Sequence, residues 1–285
     1  MNPSDYSFTR YLAAKKSVDD RALNEHVWQA LEKGLPQTSL QVLEIGAGIG
    51  TMVERIVERQ LFSAAVSYTA IDAQNANIDE ARRRIEKVPH SFALQLETVD
   101  LFDFVAREKG KQSWDLLIAH AFLDLVHLGH TLPLLFSLLK PGGLFYITLN
   151  FDGGTILQPV IDPDIDRKII TLYHRTMDER IIDGRPSGNS HTGRHLFSQV
   201  QSAGGELLAA GSSDWVVFAA KDGYQADEAY FLHFIIHTIQ QALQGHPELD
   251  RSLFEAWIAQ RHAQIEAGTL VYIAHQLDFL GRKPV

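Results

Sequence analysis

The sequence predicts an α/β fold: a doubly wound, mostly parallel sheet of seven strands, with helices ahead of it and a helical hairpin inserted before its last strand. Three observations point there. Between residues 40 and 150, short apolar or β-branched runs alternate with stretches of helical periodicity, the pattern of successive right-handed crossovers. The first such run ends in a glycine-rich turn, EIGAGIG, at 44–50. The 285 residues are 45% hydrophobic and 21% charged, which is enough apolar material for one large core.

The elements follow in order. QVLEIG (41–46) is an apolar strand, and TMVERIVERQLF (51–62) repeats Met52, Val53, Ile56, Val57 and Leu61 at helical spacing. VSYTAID (66–72) is a second strand ending at Asp72. In NANIDEARRRIEKV (75–88), Ile78, Ala81, Ile85 and Val88 share one helical face. FALQLETVD (92–100) and WDLLIAH (114–120) supply strands three and four. LPLLFSLLKPGG (132–143) reads as a helix closed by Lys140, Pro141 and Gly142, and LFYITLN (144–150) as strand five.

Composition narrows the partners. The formal net charge is −9 with no dense basic run, which disfavours nucleic acid. There is no cysteine, hence no disulfide, thiolate metal site or thiol nucleophile. No apolar run approaches the ~18 residues of a membrane span, and the first residues lack a signal-peptide core. A cytoplasmic protein without a membrane partner or bound metal is expected, as monomer or homodimer.

The glycine turn selects among cofactors. A dinucleotide fingerprint after Gly46 and Gly48 needs its third glycine at residue 51, which is Thr51; the third glycine is Gly50. A phosphate-binding P-loop fails because no Gly-Lys-Ser/Thr follows. Glu44 precedes the turn, and its carboxylate would repel a pyrophosphate but accept from an ammonium group.

At this point the sequence resembles the class I S-adenosylmethionine-dependent methyltransferases. Their first motif, an acidic residue, one residue, then G-x-G-x-G, is matched by Glu44, Gly46, Gly48 and Gly50. The resemblance places Asp72 on the cofactor's ribose hydroxyls with Ala73 beside it, Asp100 beside the adenine with Leu101, and Ala47 in the turn. The family's LKPGG before strand five is Leu139 to Gly143. The implied cofactor is S-adenosylmethionine, with S-adenosylhomocysteine as product. Physical chemistry supports these roles: glycines let the backbone approach a ligand closely, and Asp72 can accept from two vicinal hydroxyls. Taken alone, Asp72 or Asp100 would read equally well as the cap of the next helix.

Strand four should end at the site. Ala119, His120, Ala121 and Phe122 stand where amino-group methyltransferases acting on bases carry N/D-P-P-Y/F/W, which argues against base methylation. His120 is expected beside the cofactor and is the candidate general acid–base; the competing reading is a packed pocket histidine. His127 is read as the start of a surface helix.

Beyond strand five, Asp162-Pro163 reads as an N-cap with proline at N1, opening a helix with Ile165, Ile169, Leu172, Tyr173 and Thr176 on one face. A polar loop, DGRPSGNSHTGRH (183–195), then precedes a helix from Leu196. Residues 151–194 are read as a substrate-side insertion with Asn150, Tyr173, His174, Asn189, His191 and Arg194 as substrate candidates. GELLAAG (205–211) is strand six, and 227–268 a helical hairpin before the last strand, TLVYIAHQLDFLG (269–281). His233 and His237 have the spacing of a helical metal pair but no third ligand, so packing is expected. Residues 1–36 are read as a helical cap on the 37–285 domain, with Tyr11, Lys16 and Arg21 reaching toward the cofactor. The leading function is methyl transfer to a small-molecule acceptor. A protein methyltransferase, a non-catalytic cofactor-binding scaffold and a nicotinamide oxidoreductase are the alternatives, in that order.

Overall fold

A computed structural model describes residues 5–85, 88–111, 113–182 and 184–285. Residues 1–4 of the expected cap, 86–87 of the expected second helix and 183 of the polar loop lie outside the described residues. Helices α1 (Phe8–Ala22) and α2 (Glu25–Gly34) come first, capped by Ser7 accepting from Arg10 N and Asn24 accepting from Val27 N.

The parallel part of the sheet is β1 (Leu40–Ile45), β2 (Val66–Asp72), β3 (Phe92–Thr98), β4 (Trp114–His120) and β5 (Leu139–Gln158). Its crossovers are α3 (Thr51–Glu58), α4 (Asn75–Arg84), α5 (Leu101–Glu108) and α6 (Leu128–Leu138). After β5 come α7 (Pro163–Asp178), the two-residue strands β6 (Ile181–Ile182) and β7 (Arg185–Pro186), α8 (Thr192–Ser202), β8 (Glu206–Ser212) and β9 (Trp215–Val217). Helices α9 (Glu228–Leu243) and α10 (Arg251–Glu266) form the hairpin, and β10 (Val271–Arg282) closes the sheet. Strand order is β3-β2-β1-β4-β5-β10-β8, with β10 antiparallel to both neighbours. The order reverses between β1 and β4, and the crevice at their carboxyl ends is where ligands bind such sheets.

Strand pleat sorts side chains into two cores. Leu43, Ile45, Leu117, Ala119, Phe145 and Ile147 pack on α5, α6 and α8; the alternate residues Val42, Leu116, Ile118 and Tyr146 pack on α2 and α3. A third core lies over the crevice, where α1, α7, α9 and α10 bury Val18, Ile169, Phe231, Ile236 and Trp257 against Tyr272 of β10.

Five local expectations need correction. The sheet has eight strands because the sixth is broken: β8 and β9 both pair with β10, Ser212 opposite Leu277 and Trp215 opposite Ala274, with Ser213 and Asp214 between. Strand five runs eight residues past Asn150. Its glycines are a bulge rather than an end, since Phe151 pairs with Gln276 and Gly154 with His275, leaving Asp152 and Gly153 out of register. Helix α6 stops at Leu138, and Lys140 to Gly143 already belong to β5. Helix α8 starts at Thr192, four residues before Leu196. Helix α5, whose apolar face is Leu101, Phe104 and Val105, enters the sequence reading only as the helix that Asp100 would cap, without bounds of its own.

Other expectations match the structure. Asp162 caps α7 through Asp164 N and Ile165 N, and His127 caps α6. His233 pairs with His262 across the α9–α10 hairpin, Nδ1 to Nδ1 at 2.8 Å, while His237 stacks on Tyr6.

Gly281 carries the tightest approach in the sheet. A Cβ there would lie 2.1 Å from the Phe145 ring and 2.5 Å from Glu206 O. Gly281→Ala is expected to cost about 1–3 kcal/mol through overpacking, read as a lower urea midpoint at unchanged slope.

Candidate active site

A cavity of about 560 Å³ opens at the crevice and continues beneath the third core. Its floor is the glycine turn. Gly46 and Gly48 adopt left-handed backbone, with φ of 62° and 55°, where a side chain would be strained. A Cβ on Gly46 would enter the Phe122 ring at 2.3 Å, and one on Gly48 would reach Leu12 of α1 at 3.3 Å. Ala47 and Thr51 share this wall.

Asp72 ties the turn to its surroundings. Its Oδ2 accepts from Gly48 N at 2.9 Å, and its Oδ1 from Gln74 N at 2.8 Å and Asn77 Nδ2 at 3.1 Å. A carboxylate offers about four acceptor positions, so one remains for a ligand hydroxyl. Asp100 caps α5, its Oδ1 accepting from Phe102 N and Asp103 N; no donor reaches Oδ2 among the described residues. Both carboxylates line the cavity, together with Ala73, Ile71, Val99 and Leu101. Acceptors at one edge and apolar groups on the flanks give a slot suited to a ribose and a purine ring.

The roof comes from distant segments. Tyr11 of α1 stacks on Phe231 and Phe234 of α9, and Tyr11, Phe8 and Leu12 all face the cavity. Trp215 of β9, Tyr272 and Gln276 of β10, Phe151 and Thr155 of β5, and Tyr173 of α7 complete the wall.

Behind the roof sits a buried ionic hub. Asp19 Oδ2 accepts from Lys15 Nζ at 2.6 Å and lies 3.5 Å from Arg55 Nη2, while Oδ1 accepts from Trp215 Nε1 at 2.9 Å. Arg55 also donates to Asp20. His120 Nδ1 is 2.7 Å from Thr148 Oγ1, and Nε2 is 3.1 Å from both Asp19 Oδ2 and Arg55 Nη1. Lys15, Asp19, Arg55 and His120 are all buried. Burial alone would raise the Asp19 carboxyl, but Lys15, the His120 hydrogen bond and Arg55 outweigh it and hold it well below the usual range. Burial, then Arg55, lowers His120 to about 4, against the opposite pull of Asp19. The ring is therefore neutral near pH 7, with both nitrogens engaged. His120 lines the cavity, but as part of the hub; the expected general acid–base role is not supported by its surroundings.

Other candidates fall away from the cavity for physical reasons. Glu44 is on the Val42 face of β1, buried, with its Oε2 accepting from Tyr68 at 2.7 Å; burial pushes its pKa up to about 8. No cavity wall reaches it, so the expected ammonium contact is absent. Gly50 (φ 80°) faces Ile85, 2.4 Å from a built Cβ, and serves the approach of the Ile85 side chain to the start of α3. Asn150 donates to Leu277 O inside the sheet. His174 Nε2 meets Thr155 Oγ1 at 2.9 Å, outside the wall. Asn189 accepts from His191 N, the His191 ring covers Gly153, and Arg194 pairs with Asp152. Lys16 is held by Asp20 and Glu58, and Arg21 by Glu228. Among the substrate candidates only Tyr173 lines the cavity.

Two outcomes follow. Asp19→Asn leaves Lys15 and Arg55 undercompensated, so stability is expected to fall by about 3–5 kcal/mol, with faster amide exchange along α1. For His120, the folded pKa lies below the unfolded value. Its stabilisation is present above pH ~6.5 and drains away as pH falls toward about 4, because only the unfolded chain takes up the proton in that window. The stability difference between the wild type and His120→Gln, measured by urea denaturation, is expected to shrink across that window.

The comparisons with known proteins agree with this geometry. The model of a methyltransferase domain family matches residues 43–145. A hybrid PKS-NRPS synthetase of Penicillium oxalicum, poxE, is 37% identical over 106 residues, which are 36% of this chain and 2% of the synthetase. Among solved structures, a candidate methyltransferase from Bacillus halodurans C-125 is 12% identical with a TM-score of 0.52, over 90% of this chain and 99% of that one. The cyclopropane synthase MmaA2 from Mycobacterium tuberculosis is 11% identical with a TM-score of 0.49, over 99% and 100%. Residues 43–145 match the model of a methyltransferase domain family, and the sheet order and glycine turn are those of the class I S-adenosylmethionine-dependent methyltransferase fold.

Proposed function

We propose that the protein transfers a methyl group from S-adenosylmethionine to a small-molecule acceptor enclosed beneath α1, α9 and β9. The observation that carries this reading is the continuity of one cavity, from Asp72 and Asp100 at the glycine turn to Tyr11, Tyr173 and Tyr272 under the roof. A space of this size falls within the ~300–1,000 Å³ of small-ligand sites. A protein acceptor would call for an open groove; here α1 and α9 cover the crevice.

The cofactor supplies a methyl already activated on a sulfonium, so the residues have mainly to align and to exclude water. Asp72 and Asp100 would hold the nucleoside by its hydroxyls and amine. Gly46 and Gly48 would let the backbone meet the amino-acid part. The apolar roof of Phe8, Tyr11, Leu12 and Phe122 would keep water from the transferring group. The hub around Asp19 would keep α1 in place while this happens. No helix is long and apolar enough to cross a membrane among the described residues. A cytoplasmic setting remains part of the proposal, on the cysteine-free composition.

Calorimetric titration is the test. S-adenosylmethionine and S-adenosylhomocysteine are expected to bind, NAD is not, and Asp72→Ala should weaken binding at least ~10-fold, equivalent to about 1.4 kcal/mol. A folded wild-type protein that binds neither sulfur cofactor would sink the reading.

A further inference from the structure

Asp124 is a group for which the cofactor slot and the hub have no use. It sits in the one-turn helix Leu123–Leu125 that follows β4, on the cavity wall. Its Oδ1 is buried and has no hydrogen-bond partner among the described residues. A buried acceptor without a donor is costly, and a ligand donor arriving in the cavity would relieve that cost. The groups facing it are Tyr11 and Lys15 from α1, Tyr173 from α7 and Arg180 just beyond α7, all on the same wall. Lys15 is already committed to Asp19, whereas Arg180 forms no ion pair among the described residues. Burial raises the Asp124 carboxyl, opposed by its own backbone amide, Lys15 and Arg180. A carboxyl raised by burial is a stronger base than a free one. His120, by contrast, has both nitrogens occupied.

We propose that Asp124 takes the proton from the nucleophile of the acceptor, and that the acceptor is therefore a neutral hydroxyl- or amine-bearing molecule on an apolar, ring-containing frame. This rests on the methyl-transfer reading above. The acceptor O–H or N–H donates to Asp124 Oδ1 and fills its missing hydrogen bond. As the new O–C or N–C bond forms, the methyl–sulfur bond breaks and its electron pair stays on sulfur, converting the sulfonium to a thioether. The proton passes to the Asp124 carboxylate and then to water. Tyr11, Tyr173 and Tyr272 form the surface on which the frame rests. Lys15, and after it Arg180, supply positive charge that favours the ionised form of Asp124. A carboxylate acceptor is disfavoured twice, since it has no proton to give and carries the same charge as Asp124.

The experiment uses the full chain, methyl-labelled S-adenosylmethionine, and a panel of phenols, aryl and alkyl amines, and matching benzoates. Asp124→Asn keeps the shape, and calorimetry with S-adenosylhomocysteine together with a melting curve confirms that cofactor binding and fold survive. The expected result is transfer to a hydroxyl or amine compound by the wild type. The variant should then lose about 10²–10⁴-fold in kcat with little change in KM. The wild-type rate should also fall at acid pH, a limb missing from the variant. Three results overturn the proposal while leaving the methyl-transfer reading intact, provided cofactor binds: a variant within about threefold of wild type, turnover confined to benzoates, or a panel without any hydroxyl or amine acceptor. Failure of the wild type to bind cofactor overturns both, and the calorimetry identifies that case.

Discussion

Asp19 is the point through which the rest of the site is organised. One buried carboxylate receives Lys15 from its own helix, Arg55 from α3, His120 from the end of β4 and the Trp215 indole from β9. These groups come from four separate stretches of chain, and each would be costly to bury without the others. The hub fixes where α1 lies, and α1 in turn sets Phe8, Tyr11 and Leu12 over the glycine turn. Replacing the cluster by apolar residues would be tolerated energetically in many proteins. What the ions add here is direction: only one placement of α1 satisfies all of them.

Backbone strain accumulates on the same side of the sheet. Ala121, just past β4, and Leu149, midway along β5, hold positive φ, 51° and 54°, and both line the cavity. Such conformations persist only where neighbouring groups over-determine them. Ala121 N donates to Thr148 O at 2.8 Å, and Leu149 N to Asp278 Oδ1 at 2.7 Å. Asp278 also accepts from Asn24 N, so the carboxylate that pins strand five also anchors the start of α2. Burial pushes that carboxyl up to about 6.

How much of this could be read from the sequence follows from how local each feature is. The parallel sheet, the glycine turn and the two carboxylates after β2 and β3 depend on spacing within about ten residues of a strand end, and the pattern carried them. Asp100 turned out to cap α5 and line the cavity together, so the two readings of it were never exclusive. The lid was legible as helices but not as contacts. Lys15, Asp19, Asp124 and Arg180 look like ordinary helix and loop charges until the fold brings remote segments over them, and no local signal separates them from Lys16 and Arg21. The candidates of the polar loop failed for the opposite reason. Asn189 accepts from His191 N and Arg194 is taken up by Asp152, as polar residues in and beside loops generally find local partners. Strand five is expected to end at Asn150 although it runs on, because glycines such as 153 and 154 suit a bulge and a turn alike.

The third core has a consequence for the order of assembly. Ser7 N donates to the Tyr230 hydroxyl across 223 residues of chain, and Arg10 pairs with Asp227. During synthesis at roughly 5–20 residues per second, α1 emerges many seconds before α9, so its aromatic contacts with Phe231 and Phe234 form late, whereas Arg55 and His120 can reach it earlier. The strands and crossover helices that make the glycine turn can pair in that interval, because all of them precede α9 in the chain. Closing a loop of this length is slow to pay back its entropy. The cofactor cradle can therefore form before the roof is complete, and the chamber closes only once α9 is in place against α1.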